Sequence, residues 1–183
     1  MSCLTLFGKK REFIQRLENI RPRLFRLAWS WCHQRDLADD LVQETLTRAL
    51  RSERQLKEIE RFDAWIFRIL VNTWRNYLSR TRVMENIDDY VLAEEQTPES
   101  LHARYQLTAF VQAAVESLPQ GQRQVLTLID LEGLSYAEVA GVLEIPIGTV
   151  MSRLCRARKA LAEKLFRQTA EDEYSTNLLR RVK

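Results

Sequence analysis

Apolar residues along this chain recur every three or four positions, and no stretch sustains an alternation of apolar and polar residues. The first spacing places apolar side chains on one face of an α-helix, whereas a half-buried strand needs strict alternation. Glycine and proline, at five and four residues, are scarce. The pattern therefore predicts an all-α fold, and 183 residues are enough for one sizeable domain or two small ones.

The most informative pattern lies in residues 134–161, where two short helices are predicted around a tight turn. Ser135 and Glu138 have the spacing of a capping box, which begins the first helix. Pro146 lies in the turn, and proline suits the start of a helix but not its interior, so a second helix should begin there. The apolar positions that would be buried are Val139, Val142 and Leu143 in the first helix and Val150, Leu154, Ala157 and Leu161 in the second.

The second of these helices carries a basic face opposite its apolar face. Residues 147–168 contain six Lys or Arg and one acid. An α-helix fits the major groove of DNA, where Arg, Ser and Thr reach base edges and phosphates. A solvated basic face on an ordinary bundle is the alternative, but the capping box, the proline break and the basic helix together favour a helix-turn-helix. The residues predicted to contact DNA are Thr149, Ser152, Arg153, Arg156, Arg158 and Lys159.

The first half of the chain predicts further helices, beginning with one over residues 12–33. Asp36 is the predicted N-cap of the next helix, which would bury a face that includes Leu41 and Ala49. Residues 51–61 are polar and predict a loop or a frayed helix end. The opposite face of the helix after Asp36 is acidic, and by itself it is typical of a solvated surface. Its members are Asp40, Gln43, Glu44 and Thr47.

A third helix is predicted from Phe62 to Arg82. Four of its aromatic residues are predicted to lie in the core, since such side chains are usually buried, and these are Phe62, Phe67, Trp74 and Tyr77. The other face carries Arg and Asn side chains that suit a single-stranded nucleic acid, because Arg holds phosphate and amides reach exposed base edges. The residues of this face are Arg68, Asn72, Arg75, Asn76 and Ser79, beside Trp65.

A change of composition separates the two halves of the chain. Residues 85–103 contain six acids and no Lys or Arg, a composition that indicates a flexible linker between domains. In the second half, Ser117 to Gln120 have the pattern of another capping box, which would begin a helix that continues to Leu131. The predicted division is a first domain at 10–84, the acidic linker at 85–103, a second domain at 104–168 and a tail at 169–183, which either extends the last helix or stays disordered.

The composition argues against several other classes of protein. The formal charge is only +3, so the separation of basic and acidic regions matters more than their sum. Three widely spaced cysteines indicate a reduced protein without a disulfide framework or a zinc site. The sequence shows no run near the ~20 apolar residues of a membrane span and no signal peptide, which predicts a cytoplasmic location. We expect no cofactor, no metal site and no enzymatic activity, because no catalytic constellation is present.

Three stretches that occur in order along the chain resemble one protein family. They are DLVQE at residues 40–44, FDAWIFRILVN at 62–72 and GTVMSRLCRAR at 148–158. Together they resemble the group IV, or extracytoplasmic function, sigma factors of the bacterial sigma-70 family, over about residues 12–165. One departure is Asn76, which stands where that family commonly has Asp.

The resemblance implies a promoter-specificity subunit of RNA polymerase with two helical domains. The acidic face around Asp40 would bind the β′ clamp helices of core polymerase, with the β flap as a further contact. The face around Asn72 would capture the −10 strand, and the helix around Arg156 would read −35 DNA. The linker would thread the RNA path of the polymerase, unless it is only a tether, and an anti-sigma factor would control the protein.

Two other functions compete with this one. A sigma-like decoy would sequester an anti-sigma factor without driving transcription, but the Arg and Asn residues on both DNA faces argue against it. A stand-alone helix-turn-helix regulator would bind DNA tightly without polymerase, and it leaves the motifs of the first domain unexplained. In-vitro transcription with core polymerase separates the sigma factor from the decoy, which would yield no transcript, and tight binding to a specific operator without polymerase would identify the stand-alone regulator.

Overall fold

The computed structural model describes residues 3–56, 58–85 and 110–181, with side chains over 10–56, 58–81 and 110–167. These residues form helices and turns with no strand among them, which confirms the all-α prediction. No described helix is both long and apolar enough to cross a bilayer. The helices of these ranges are α1 (Cys3–Cys32), α2 (Arg35–Arg51), α3 (Phe62–Glu85), α4 (110–116), α5 (Gln120–Leu126), α6 (Tyr136–Leu143) and α7 (Ile147–Arg181).

Helices α1, α2 and α3 pack against one another in the first half of the chain. Leu24, Leu27, Phe67 and Leu70 are fully buried among them, because each lies on the apolar stripe of its helix. Helix α1 is longer than predicted and continues through Pro22. Between α2 and α3 the chain makes two short 3₁₀ turns, so the loop predicted at residues 51–61 is partly ordered.

The predicted N-cap of α2 is wrong. The helix begins at Arg35 with Gln34 as its N-cap residue, and no side chain caps it. Asp36 instead lies in the first helical turn. A carboxylate in that turn faces the positive end of the helix dipole, so Asp36 stabilises the same helix end without a capping hydrogen bond.

The capping box of α6 is confirmed. The Ser135 hydroxyl accepts a hydrogen bond from the Glu138 N–H at 3.3 Å, and the Glu138 carboxylate accepts one from the Ser135 N–H at 2.8 Å. The Ser135 hydroxyl also donates to the Glu138 carboxylate at 2.6 Å, and this bond, together with the one from the Ser135 N–H, favours the ionised carboxylate and lowers the pKa of Glu138. Val139, Val142 and Leu143 are buried as predicted, and α7 follows directly after Pro146.

The second predicted capping box is wrong. Helix α5 has Pro119 as its N-cap residue and no side-chain cap, and the Ser117 hydroxyl donates to the Ala114 carbonyl at 2.7 Å instead. The helix predicted to continue to Leu131 ends at Leu126, and a π-helical turn spans Thr127–Leu131. Helix α7 continues to Arg181, so the backbone of residues 169–181 extends the last helix.

The two halves of the chain pack directly against each other. Helix α3 contacts α6, and α1 contacts α5 and the π-helical turn. Buried side chains from both halves form one continuous cluster, and the Trp31 Nε1–H crosses it to donate to the Thr127 hydroxyl at 3.0 Å. The acidic segment predicted as a linker lies, beyond Glu85, outside the described residues.

Candidate nucleic-acid interface

The basic face predicted on α7 is partly open to solvent. Arg156 and Lys159 are exposed, while Thr149 and Ser152 are half-buried. The Ser152 hydroxyl donates to the Thr149 carbonyl at 3.1 Å, one turn earlier in the helix. Val150, Leu154 and Ala157 are buried and form the apolar side of the helix. Their packing sets the orientation of α7 about its own axis, and this orientation exposes Arg156. Two long cationic side chains therefore lie on the solvent side of α7.

Two other arginines of this face are turned toward their own domain. The guanidinium of Arg153 lies over Gly121 of α5, where a Cβ atom would come within 2.9 Å of Nη1. The Arg158 guanidinium makes a two-pronged ion pair with Asp130, at 3.1 Å from Nε and 2.5 Å from Nη2. This bonding raises the pKa of Arg158. Both arginines reinforce the position of α7 on α5 and the π-helical turn, a role that their position on a helical wheel does not reveal.

The polar face of α3 is covered in part by the helix-turn-helix. Asn76 and Ser79 are exposed and Asn72 is half-buried. Arg68 forms an ion pair with Glu144, and Arg75 Nη2 donates to the Leu143 carbonyl at 2.6 Å. The sequence predicts that this face is one continuous solvent-exposed surface. In the structure, its two arginines instead contact the turn between α6 and α7.

One aromatic residue of α3 is not in the core. Tyr77 is 36% exposed and its ring stacks on Trp74, with 5.6 Å between centroids and 9° between planes. The prediction that Tyr77 is buried is therefore wrong, because its position falls beyond the end of the packed stripe formed by Phe67 and Trp74. Phe62, Phe67 and Trp74 are buried as predicted.

The acidic face of α2 lies on the solvent side of that helix. Asp40, Gln43 and Glu44 are exposed and Thr47 is half-buried. Glu44 is held by Arg48 at 2.7 Å, one helical turn away, whereas Asp40 has no ion pair among the described residues. The face is therefore open to a partner in this arrangement of the chain.

Comparisons with known protein families match each half of the chain separately. The model for sigma-70 region 2 matches residues 17–83, and the model for sigma-70 region 4 matches residues 111–161. The RNA polymerase sigma-H factor of Pseudomonas aeruginosa is 32% identical over 170 residues, covering 86% of this chain and 88% of that protein. The ECF RNA polymerase sigma-E factor of Escherichia coli K12 is 36% identical over 138 residues, covering 69% and 72%. The chain belongs to the extracytoplasmic function group of the sigma-70 family.

Solved structures of relatives have the same architecture. The sigma factor matches RpoE of Bartonella quintana, solved with the anti-sigma factor NepR, with a TM-score of 0.74 and 31% identity over 85% of this chain and 97% of that one. It matches CnrH, solved with the cytosolic domain of CnrY, with a TM-score of 0.61 and 27% identity over 85% and 88%. Family membership makes this chain a promoter-specificity subunit that directs transcription initiation by RNA polymerase.

Arg23 is an interdomain residue of the sigma factor that sequence reasoning missed. Its Nε lies 2.6 Å from Glu132 of the π-helical turn, its Nη1 lies 2.5 Å from Asp63 of α3, and its guanidinium lies 5.3 Å from the centre of the Phe67 ring. The Glu132 side chain is fully buried, and this burial raises its pKa against the opposing effect of Arg23. No local pattern marks Arg23, since its partners come from distant parts of the chain.

His33 makes another polar contact between the two halves. The residue adopts a positive φ of 56° after the end of α1. Its Nδ1 lies 2.8 Å from the Glu116 carboxylate and its Nε2 lies 2.8 Å from Nη1 of Arg123. Because Arg123 can only donate, Nε2 must accept, so the ring is neutral with its proton on Nδ1. Burial lowers the pKa of His33, and Arg123 lowers it further against the opposing effect of Glu116.

Acidification is therefore expected to destabilise the native sigma factor through His33. The native pKa lies below the ordinary value near 6.5, so the unfolded chain binds the proton first and stability falls as the pH drops below about 6.5. The loss ends once the pH is below the native pKa. Urea unfolding midpoints at pH 7.5 and 5.5 measure it, and His33→Gln, which cannot titrate, should lose less stability than the wild type. Equal losses in the two chains would contradict the assignment.

Proposed function

We propose that the three polar faces divide the work of promoter recognition. The acidic face of α2 binds the β′ clamp helices of core polymerase, because exposed carboxylates complement a basic partner. The β flap of core polymerase is a further contact of the chain. The polar face of α3 captures the −10 strand, and the basic face of α7 reads duplex −35 DNA. The observation that supports this most is that Asp40 and Glu44 are exposed on the acidic face of α2 and that Arg156 and Lys159 are exposed on the basic face of α7.

Attachment to one polymerase explains how weak individual contacts suffice. With both domains held on the same enzyme, binding of one promoter element raises the effective concentration of the other domain at its element. We propose the domain bounds 10–84, 85–103, 104–168 and 169–183, with the second segment as the acidic linker. The described contacts between α3 and α6 belong to the free chain in this proposal, and they separate when the two domains bind separate promoter elements.

An anti-sigma factor is the proposed regulator. One solved relative, RpoE of B. quintana, was co-crystallised with the anti-sigma factor NepR, and CnrH was solved in complex with the cytosolic domain of CnrY. A partner of this class would act on this chain by covering the polymerase-binding or DNA-binding faces. The proposal also locates the sigma factor in the cytoplasm, where core polymerase is found, and assigns it no catalytic activity of its own.

Run-off transcription with core polymerase over a genomic fragment library is the decisive experiment for this function. The sigma factor should yield discrete transcripts whose start sites share −35 and −10 sequences. A decoy would yield no transcript, and a stand-alone regulator would bind a specific fragment without polymerase.

Within this assay, Arg156→Ala is expected to lower transcription about 10-fold or more from promoters that depend on their −35 element. A well-placed arginine contact to a base contributes roughly 1–3 kcal/mol of discrimination, equivalent to about 5- to 150-fold. Arg167→Ala is the matched control, since Arg167 is exposed on the same helix about three turns further along and is not a predicted DNA contact. If both variants transcribe equally well, Arg156 does not read the −35 element.

A further inference from the structure

The turn between α6 and α7 presents two acceptors to the arginines of α3. The Leu143 carbonyl accepts from Arg75 at 2.6 Å, and the Glu144 carboxylate pairs with Arg68 and lies 3.9 Å from Nη1 of Arg75. We call Leu143 and Glu144 the turn acceptors. Both lie at the C-terminal end of α6, where free carbonyls give a helix its negative end. A backbone dipole and a carboxylate therefore converge on the cations of one proposed DNA-binding face.

The backbone of Glu144 is in an unfavourable conformation for a glutamate. It adopts φ 56° and ψ 45°, the left-handed region in which glycine or asparagine usually ends a helix. This conformation allows the Ile145 N–H to donate to the Ala140 carbonyl at 3.1 Å and so ends α6. Helix termination alone would be served better by glycine. The glutamate contributes the carboxylate that reaches Arg68, which glycine could not supply.

Helix α6 also restricts access to the surface next to these arginines. A groove of about 570 Å³ is lined by Leu56, Trp65 and Arg68 from the first half and by Ala137, Gly141 and Val142 from α6. One wall of this groove exists only while α6 rests on α3. A nucleic-acid strand lying along α3 would therefore meet α6 as well as the turn acceptors.

We propose that the turn acceptors are an internal competitor for the −10 strand. The arginine fork binds carboxylate and phosphate with the same geometry, so Glu144 occupies in the free chain the position that a backbone phosphate takes on α3. The free sigma factor consequently has low affinity for single-stranded DNA, and Arg68 and Arg75 become available only when the two halves separate. This inference rests on the proposed function of the α3 face.

The competitor is weak enough to be displaced. The side chains of Arg68 and Glu144 are 53% and 50% exposed, and ion pairs at such positions contribute little and are screened by salt. A strand that offers several phosphates, held by polymerase, can replace a single carboxylate and a carbonyl. The expected effect of removing the carboxylate is correspondingly moderate.

Glu144→Gln tests the competition directly. The probe is a fluorescein-labelled 20-nucleotide single strand of mixed sequence, titrated with the full chain without polymerase. Glu144→Gln is expected to bind it three- to tenfold more tightly than the wild type. Glu18→Gln, which removes an exposed acid from α1 and changes the net charge equally, should stay within about twofold of the wild type. Equal affinities for the two variants would overturn the proposal, since glutamine keeps the shape and backbone of Glu144.

Hydrogen exchange separates failure of the competitor from failure of the −10 assignment. Without DNA, amides of residues 143–150 should exchange faster in Glu144→Gln than in Glu18→Gln, because the turn is released from α3. Unchanged exchange would also overturn the proposal. If instead Arg68→Ala/Arg75→Ala holoenzyme melts promoters as the wild type does, the −10 assignment fails, while the exchange result still reports whether Glu144 holds the turn.

Discussion

Replacing Asp40 with Asn and Glu44 with Gln in one chain is expected to weaken binding to core polymerase about 10- to 100-fold, or ~1.4–2.8 kcal/mol. Both carboxylates are exposed on the same side of α2, one helical turn apart. Neutralising one side of a charged pair in a protein interface costs about this much binding free energy, because the partner's cations are then desolvated without compensation. Fluorescence titration of labelled sigma factor with core polymerase measures the dissociation constant.

The double substitution should leave the free chain stable. Relief of the repulsion between Asp40 and Glu44 offsets the loss of the ion pair between Glu44 and Arg48, so the unfolding free energy should stay nearly unchanged. Glu12→Gln/Glu18→Gln removes two exposed acids from α1 and is the control with the same change in net charge. If both double variants bind polymerase like the wild type, the acidic face of α2 is not the docking surface.

Phe67→Ala is expected to lower the free energy of unfolding by about 3–5 kcal/mol, the usual cost of truncating a buried phenylalanine. The Phe67 side chain is fully buried in α3 and carries the Arg23 guanidinium over its ring. Loss of the ring leaves a cavity in the first domain. It also removes the packing contact of the Arg23 guanidinium, which forms ion pairs with Asp63 and Glu132. The total free energy of unfolding of a domain is only about 5–15 kcal/mol. The variant should therefore fold at low temperature but unfold at a much lower urea concentration than the wild type.

The matched control for this substitution is Ile14→Ala. Ile14 is 40% exposed on α1, so its truncation should cost well under half as much. Urea unfolding followed by circular dichroism compares the two. Similar losses for Phe67→Ala and Ile14→Ala would show that the buried stripe of α3 does not hold the fold together.

Local signals predicted the helix-turn-helix well and other helix ends poorly. The capping box at Ser135 forms because a glutamate three residues later can reach back to its N–H, which needs nothing outside one helical turn. The similar pattern at Ser117 does not form, because the Ser117 hydroxyl bonds to the preceding helix and Pro119 begins the next one. A capping pattern shows which bonds are possible, and the neighbouring residues decide which of them form.

For the polar faces too, local patterns predict some features, and neighbouring elements decide the others. The positions of the faces on α2, α3 and α7 follow from helical periodicity alone, and Arg156, Lys159, Asp40 and Glu44 are exposed in the structure. Periodicity could not show that Arg158 pairs with Asp130 or that Arg68 pairs with Glu144. The partners of a surface arginine depend on which other element packs beside its helix.

The sequence by itself determined the all-α class, the helix-turn-helix, the three polar faces and the family, since each depends on spacings within one helix or on short motifs. Only the tertiary structure revealed the packing of α3 on α6, the bridge from Arg23 to Glu132 and the contacts of His33 with Glu116 and Arg123. Arg23 and Glu132 are 109 positions apart. Contacts at such separation form when two apolar surfaces are buried together, and the periodicity of either surface carries no information about the identity of the other.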